Sequence, residues 1–77
     1  SSSITELPNG EMLAAWFHGD YERGEVDSTI YMARRSLAGT WSAPLANVVA
    51  HAKRGVGNPI LHLDQDNVVW LFYSAKN

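Results

Sequence analysis

Apolar and β-branched residues occur along this chain in short runs, separated by clusters of Gly, Pro, Asn, Asp and Ser. Runs of this kind are typical of β-strands, whereas an amphipathic helix repeats its apolar positions three and four residues apart over a longer stretch. The pattern therefore predicts six strands and no helix. The predicted strands cover residues 4–7, 12–17, 29–35, 41–49, 60–63 and 68–73.

Two of these strands, 12–17 and 68–73, are apolar at nearly every position instead of alternating with polar residues. Since successive side chains of a strand point to opposite faces, both strands are predicted to be buried on both sides. A helix is the alternative for so short a run, but the preceding turns and the aromatic content favour strands. Pro44 lacks an N–H group, so strand 41–49 is expected at a sheet edge.

The last two predicted strands repeat the first two at an offset of 56 residues. The matched positions are Ile4 with Ile60, Leu7 with Leu63, and Trp16-Phe17 with Phe72-Tyr73. Four strands followed by a renewed first and second strand are typical of a β-propeller, whose blades are four-stranded meanders. The fold prediction is thus all-β, with antiparallel four-stranded meander blades. Residues 3–50 form one blade and residues 58–76 begin the next, within a single partial unit spanning 1–77.

Two long polar connections, 18–27 and 51–58, are predicted between the strands. In an antiparallel meander successive connections alternate between the two ends of the sheet, so both long connections lie at one end. The short turns near residues 8–10, 36–40 and 64–67 lie at the opposite end. Because binding residues are concentrated on long loops carried by a rigid scaffold, function is expected at the long-loop end.

Charge and size restrict the partners that are expected. Six Lys and Arg against eight Asp and Glu give a net charge of −2, which argues against a nucleic acid or an anionic membrane surface as partner. No apolar run approaches the roughly 18 residues of a membrane-spanning helix. The 77 residues include no cysteine, so no disulfide can compensate for a small core. A homo-oligomer, or packing against further blades of the same propeller, is therefore expected.

Several short motifs, taken in order, resemble the sialidase (neuraminidase) superfamily, and more narrowly the predicted exo-sialidase-like proteins with BNR repeats. The motifs are LPNGEMLAAWF at 7–17, Tyr-Glu at 21–22, Arg-Arg at 34–35 leading into WSAP at 41–44, GNP at 57–59 and VWLFY at 69–73. The resemblance covers nearly the whole chain but only about one and a half blades of a sialidase-like six-bladed β-propeller. It departs from the family at the Asp-box that should end at Trp41, where Arg34, Ser36 and Ala38 replace Ser, Asp and Gly.

The resemblance implies a glycosidase-type site for a sialic-acid-type or other acidic sugar. Sialidases use arginines against the substrate carboxylate, a Tyr–Glu pair and an Asp acid/base, and a guanidinium fork suits a planar carboxylate. By this comparison the candidate catalytic residues are Asp27 and Glu22, and the candidate substrate-binding residues are Arg54, Tyr21, Asp20 and Asn58. The long loops hold only two arginines, so the isolated chain is expected to be inactive. The competing interpretation is that these charged loops are ordinary solvated surface.

No metal or other cofactor is predicted. The three histidines, His18, His51 and His62, lack the spacing of metal ligands, and residues 64–67 lack the Gly and distal Glu of a calcium loop. The aromatic residues of the strands (Trp16, Trp41, Trp70, Phe72, Tyr73) are expected in a core rather than stacked on sugars. A carbohydrate ligand is the expected small-molecule partner. The alternative function is a non-catalytic carbohydrate-binding or self-assembling β-propeller module.

Overall fold

A computed structural model describes residues 2–19, 28–51 and 55–75. All the regular secondary structure in these ranges is β-strand. The strands are β1 (Ser2–Glu6), β2 (Met12–Gly19), β3 (Ser28–Arg35), β4 (Leu45–Val49), β5 (Val56–Leu63) and β6 (Val69–Ala75). No helix in the described part of the chain is long and apolar enough to span a membrane. The all-β prediction is confirmed for these residues.

The strands form two antiparallel sheets. The first has the order β1-β2-β3-β4, and the second is the β5-β6 hairpin. The predicted four-stranded meander is therefore confirmed, and β4 lies at its edge as Pro44 indicated.

Two strand boundaries differ from the prediction. β4 begins at Leu45 rather than at residue 41, because Trp41 makes only an isolated bridge to Arg35 and the β3–β4 ladder then shifts its register. Pro44 lies just before the strand, where its missing N–H breaks no ladder bond. β5 begins earlier than predicted, at Val56, and its register shifts between Gly57 and Ile60. Residues 56–58, expected in a loop, are therefore in a strand.

Three short turns at one end of the sheets have the same construction. In each, the first amide donates to the fifth carbonyl at 2.7–3.0 Å, and the fourth amide donates to the first carbonyl at 2.9–3.1 Å. The fourth residue has positive φ: 91° at Gly10, 89° at Gly39 and 61° at Asn67. This is the three-residue hairpin loop in which a left-handed residue follows a type I turn. The turns span residues 7–11, 36–40 and 64–68.

The core lies between the two sheets, where β5 packs across β1, β2 and β3. Its buried members are Ala15, Ile30, Val56 and Leu61. We call the facing sides of the sheets their inner faces and the opposite sides their outer faces. Two hydrogen bonds also join the sheets: the Ser28 hydroxyl donates to the Val56 carbonyl at 2.7 Å, and the Leu61 amide donates to the Ser3 hydroxyl at 3.0 Å.

Within the described residues, β2 and β6 each have a partner sheet on the inner face and none on the outer face. Ala15 on the inner face of β2 is fully buried, but Trp70 and Phe72 on the outer face of β6 are 51% and 54% exposed. Ile4 beside β2 and Ile60 beside β6 are also exposed on the outer faces. Burial of both faces requires a partner sheet on each side, and the described residues supply only one for each sheet.

The two hairpins that repeat in sequence, β1–β2 and β5–β6, correspond at an offset of 57 residues, one more than the sequence pattern indicates. Their last cross-strand pairs before the turn are Glu6 with Met12 and Leu63 with Val69. With this correspondence, the outer face of β1–β2 is equivalent to the inner face of β5–β6. The equivalent positions are Ile4 and Leu61, Met12 and Val69, and Ala14 and Leu71. Successive sheets thus face in the same direction along a stack.

Candidate functional site

The strand ends that flank the two long connections lie at one end of the described structure. β2 ends at Gly19 and β3 begins at Ser28, while β4 ends at Val49 and β5 begins at Val56. The Ser28–Val56 hydrogen bond shows that these strand ends are neighbours. The expected long-loop end therefore exists as a geometric feature of the scaffold, opposite the three short turns.

Most of the site residues predicted from the sequence lie outside the described residues. These are Asp20, Tyr21, Glu22, Asp27 and Arg54. Asn58 is described, and it lies near the start of β5 at the long-loop end.

Asn58 occupies the register shift of β5 with a φ of 51°. Asn tolerates this left-handed conformation better than most residues, because its short side chain can form local hydrogen bonds. Its Nδ2 donates to the Ser74 hydroxyl at 3.2 Å, and that hydroxyl lies 3.2 Å from the Gly57 carbonyl, to which it donates. The bulge therefore presents an amide and a hydroxyl together at the exposed surface of the long-loop end.

His51 and Tyr73 form a second pair of polar groups at the same end. The His51 Nε2 lies 3.0 Å from the Tyr73 hydroxyl, and the two rings are 5.8 Å apart and tilted by 33°. Both residues are exposed, and they connect the segment after β4 to β6. An imidazole and a phenol can each donate and accept hydrogen bonds, so the pair suits a ligand rich in hydroxyl groups.

A row of three rings, Trp16, Tyr31 and His18, lies on the outer face of the first sheet toward the long-loop end. His18 stacks on Tyr31 with centroids 4.9 Å apart and an angle of 24°, and Trp16 lies 6.2 Å from Tyr31 at 48°. Residue order alone does not reveal this row, because it depends on the register that pairs Trp16 with Tyr31.

Exposure of the aromatic residues differs from the prediction. Trp41, Trp70, Phe72 and Tyr73 are 45%, 51%, 54% and 41% exposed, so the expectation that they lie in a core is wrong for the chain alone. Trp16 is partly buried. Alternation in sequence identifies the face a side chain occupies, but it does not reveal whether a second layer covers that face.

Two shallow grooves lie at the short-turn end, opposite the expected site. One, of about 330 Å³, lies between the turns 7–11 and 64–68, and the other, of about 340 Å³, lies beside Trp41. Arg34 lines both grooves and approaches Glu11 at 3.9 Å. At that distance, with the arginine side chain 58% exposed, the pair contributes little to stability.

The Asp64 carboxylate is committed to its own turn. It accepts hydrogen bonds from the Trp70 indole at 2.7 Å, the Asp66 amide at 2.8 Å and the Val68 amide at 3.0 Å. These donors, the indole first, lower the pKa of Asp64 below its ordinary value. Three N–H donors of its own turn and strand thus occupy most of the lone-pair sites of this carboxylate. Among the described residues, no group of three His, Asp or Glu could hold a metal ion.

No family model matches the sequence, and no match was found among the curated proteins or the solved structures.

Proposed function

We propose that this chain is a segment of a sialidase-like β-propeller, comprising one blade and the start of the next, that binds an acidic or otherwise polar carbohydrate at its long-loop end. It is related to glycoside hydrolases, and as an isolated chain it does not hydrolyse its ligand. A carbohydrate is the partner that fits the chemistry of this end; neither a nucleic acid nor a membrane surface is proposed.

The arrangement of the sheets supports the propeller part of this proposal. A four-stranded antiparallel meander is followed by a hairpin equivalent to its first two strands. The outer face of the first sheet is equivalent to the inner face of the second, as in blades that follow one another around an axis. In a two-layer sandwich related by a two-fold axis, by contrast, the inner faces of the two sheets would be equivalent.

Two pairs of polar side chains at the long-loop end carry the binding part: Asn58 with Ser74, and His51 with Tyr73. Because Tyr73 and Ser74 are consecutive in β6, the two pairs lie on opposite faces of that strand. An amide, a hydroxyl, an imidazole and a phenol provide both donors and acceptors, and two of the rings offer apolar surface for the C–H side of a sugar. By resemblance, Arg54 meets a sugar carboxylate or hydroxyl, and Asp20, Tyr21, Glu22 and Asp27 complete the site.

The absence of hydrolysis follows from the same comparison. Unlike most glycoside hydrolases, which use a pair of carboxylates, a sialidase uses a Tyr–Glu pair and an Asp acid/base, together with three arginines on the substrate carboxylate. The long connections supply only Arg23 and Arg54. Incubation with a fluorogenic sialoside is expected to give no turnover above buffer. Turnover that copurifies with the chain would overturn this part of the proposal.

Binding is tested by immobilising the chain and measuring how strongly it retains each member of a panel of sialylated, uronic-acid and neutral glycans. The informative variant is Asn58→Gly, which keeps the positive φ and removes the amide. Its matched control is Asn67→Gly, at a φ of 61° on the opposite end. Loss of one hydrogen bond should weaken retention roughly 2- to 13-fold in the first variant and leave the control unchanged. No retention on any glycan, or equal loss in both variants, would refute the proposed site.

A further inference from the structure

The outer face of the β5–β6 hairpin is an uncovered apolar surface. We call the set Ile60, His62, Trp70 and Phe72 the hairpin face. Its three apolar members are 51–58% exposed, and the Trp70 and Phe72 rings stack 6.3 Å apart at an angle of 15°. The Trp70 indole is held by the Asp64 carboxylate, so the ring is fixed in place. A contiguous, ordered aromatic patch of this kind marks an interaction site.

A second surface, on the outer side of the first sheet, matches it. We call the set Ile4, Met12 and Ala14 the sheet face. These positions are equivalent to Leu61, Val69 and Leu71, the residues with which the hairpin packs on the first sheet. On the first sheet, Leu13 and Ala15 belong to the cluster that packs against these residues. The Ser3 hydroxyl accepts a hydrogen bond from the Leu61 amide. Their equivalents are Trp70, Phe72 and Ile60, which belong to the hairpin face.

From this correspondence we infer that the hairpin face of one copy of the chain binds the sheet face of a second copy, head to tail. The contact continues the internal sheet–sheet interface, with the second copy taking the place that β5–β6 takes within the chain. It does not depend on sugar binding, since its surfaces lie on the outer faces and not at the long-loop end.

Side-chain sizes agree with this pairing. Inside the chain the large Leu71 belongs to the same cluster as the small Ala15. Between copies the equivalent positions are the small Ala14 and the large Phe72. At this pair of positions a large residue meets a small one in both contacts. The other two equivalent pairs between copies, Met12 with Trp70 and Ile4 with Ile60, bring apolar side chains together. A symmetric pairing of two hairpin faces would instead place large rings against large rings.

The polar residues at the border also agree. β1 and β5 run in the same direction, because each leads from the long-loop end to a short turn. Inside the chain, Leu61 of β5 lies beside Ser3 of β1. The equivalent contact between copies places Ile4 of the second copy beside Ile60 of the first. Glu6 of the second copy then lies level with His62 of the first. A carboxylate beside an imidazole is a compatible pair of acceptor and donor. A head-to-tail contact between different surfaces closes into a ring or grows into a filament.

Sedimentation velocity over about 1 to 500 μM tests the inference through two complementary variants. Ile4→Glu removes the sheet face and Phe72→Glu removes the hairpin face, each at a position more than half exposed, so both variants should fold by circular dichroism. The unchanged chain should gain mass with concentration, and each variant alone should lose at least about tenfold in association, or 1.4 kcal/mol. Leu37→Glu, in the turn 36–40 and 72% exposed, is the control and should associate like the unchanged chain.

Mixing the two variants gives the decisive measurement. Each retains the surface that the other lacks, so an equimolar mixture should form a one-to-one dimer that grows no further. A chain that stays monomeric at every concentration overturns the inference, because the faces would then serve only further blades or another partner. Association without dimer formation in the mixture also overturns it, because the contact would then use other surfaces.

Discussion

The hydroxyl of Ser28 gives the most direct test of how the two sheets are joined. Ser28 is 8% exposed and donates to the carbonyl of Val56, which is 2% exposed. Ser28→Ala removes the donor and leaves a buried carbonyl without this hydrogen bond. An unsatisfied buried acceptor costs about 1–3 kcal/mol, more than the net value of the bond itself.

That cost is large for a chain of this size. At roughly 0.05–0.15 kcal/mol per residue, the 77 residues have a free energy of unfolding of about 4–12 kcal/mol. With an m-value of about 1 kcal/mol/M, the variant should lower the urea midpoint by about 1–3 M. The m-value should not change, because the same surface is exposed on unfolding.

Ser42→Ala is the matched control. The Ser42 hydroxyl accepts from the Arg34 amide at 2.9 Å, but the residue is exposed and water can replace the lost bond. We expect its midpoint to change by less than about 0.5 M. If the two variants shift the midpoint equally, the Ser28 hydroxyl does not hold the sheets together in the way described.

Further predictions concern the turns, the core and one titrating group. Gly39→Ala should cost about 1–2 kcal/mol in urea unfolding because Gly39 has a φ of 89°, whereas Gly57→Ala, with open space around the added methyl group, should be neutral or stabilising. Ile30→Val, at a fully buried position between the sheets, should cost about 0.5–1.5 kcal/mol, and no loss would contradict the assigned core. Trp70→Phe removes the main cause of the lowered pKa of Asp64, so a carboxyl NMR titration should show this pKa rising toward 3.8. The pKa of Asp64 is lower in the folded than in the unfolded chain, so ionised Asp64 stabilises the fold at pH values above the unfolded pKa. This stabilisation is lost as the pH falls through the folded pKa, and the loss should be smaller in the variant.

The order and direction of the strands could be predicted from the sequence because they follow local rules. Runs of apolar residues mark the strands, and Gly10 and Gly39 supply the positive φ that tight hairpins need. The start of β5 could not be predicted in this way. Gly57, Asn58 and Pro59 are all turn-forming residues, yet they lie in a strand because the register shift accommodates a left-handed Asn.

Which faces of the two hairpins correspond, and which residues meet at the candidate site, is determined by contacts between residues that are distant in the sequence. Sequence similarity aligns Leu7 with Leu63, but the ladders align Glu6 with Leu63, and only the latter shows which faces correspond. His51 follows β4 of the first sheet and Tyr73 lies in β6 of the second, so their contact joins residues that are 22 positions apart in the sequence. Asn58 is predicted as a site residue from the motif that carries the resemblance, and this stays a prediction, whereas Ser74 is identified only by its contact with Asn58.

The bonds that join the sheets also bear on the order in which the chain folds. Each short turn closes a loop of three residues, and such hairpins form in about 1–10 μs. Leu61 and Ser3, in contrast, are 58 residues apart, so their bond waits until most of the chain is available. During synthesis the first sheet is complete before β5 emerges, and Ala15 and Ile30 then face water. This interval is when the nascent chain has most need of a chaperone.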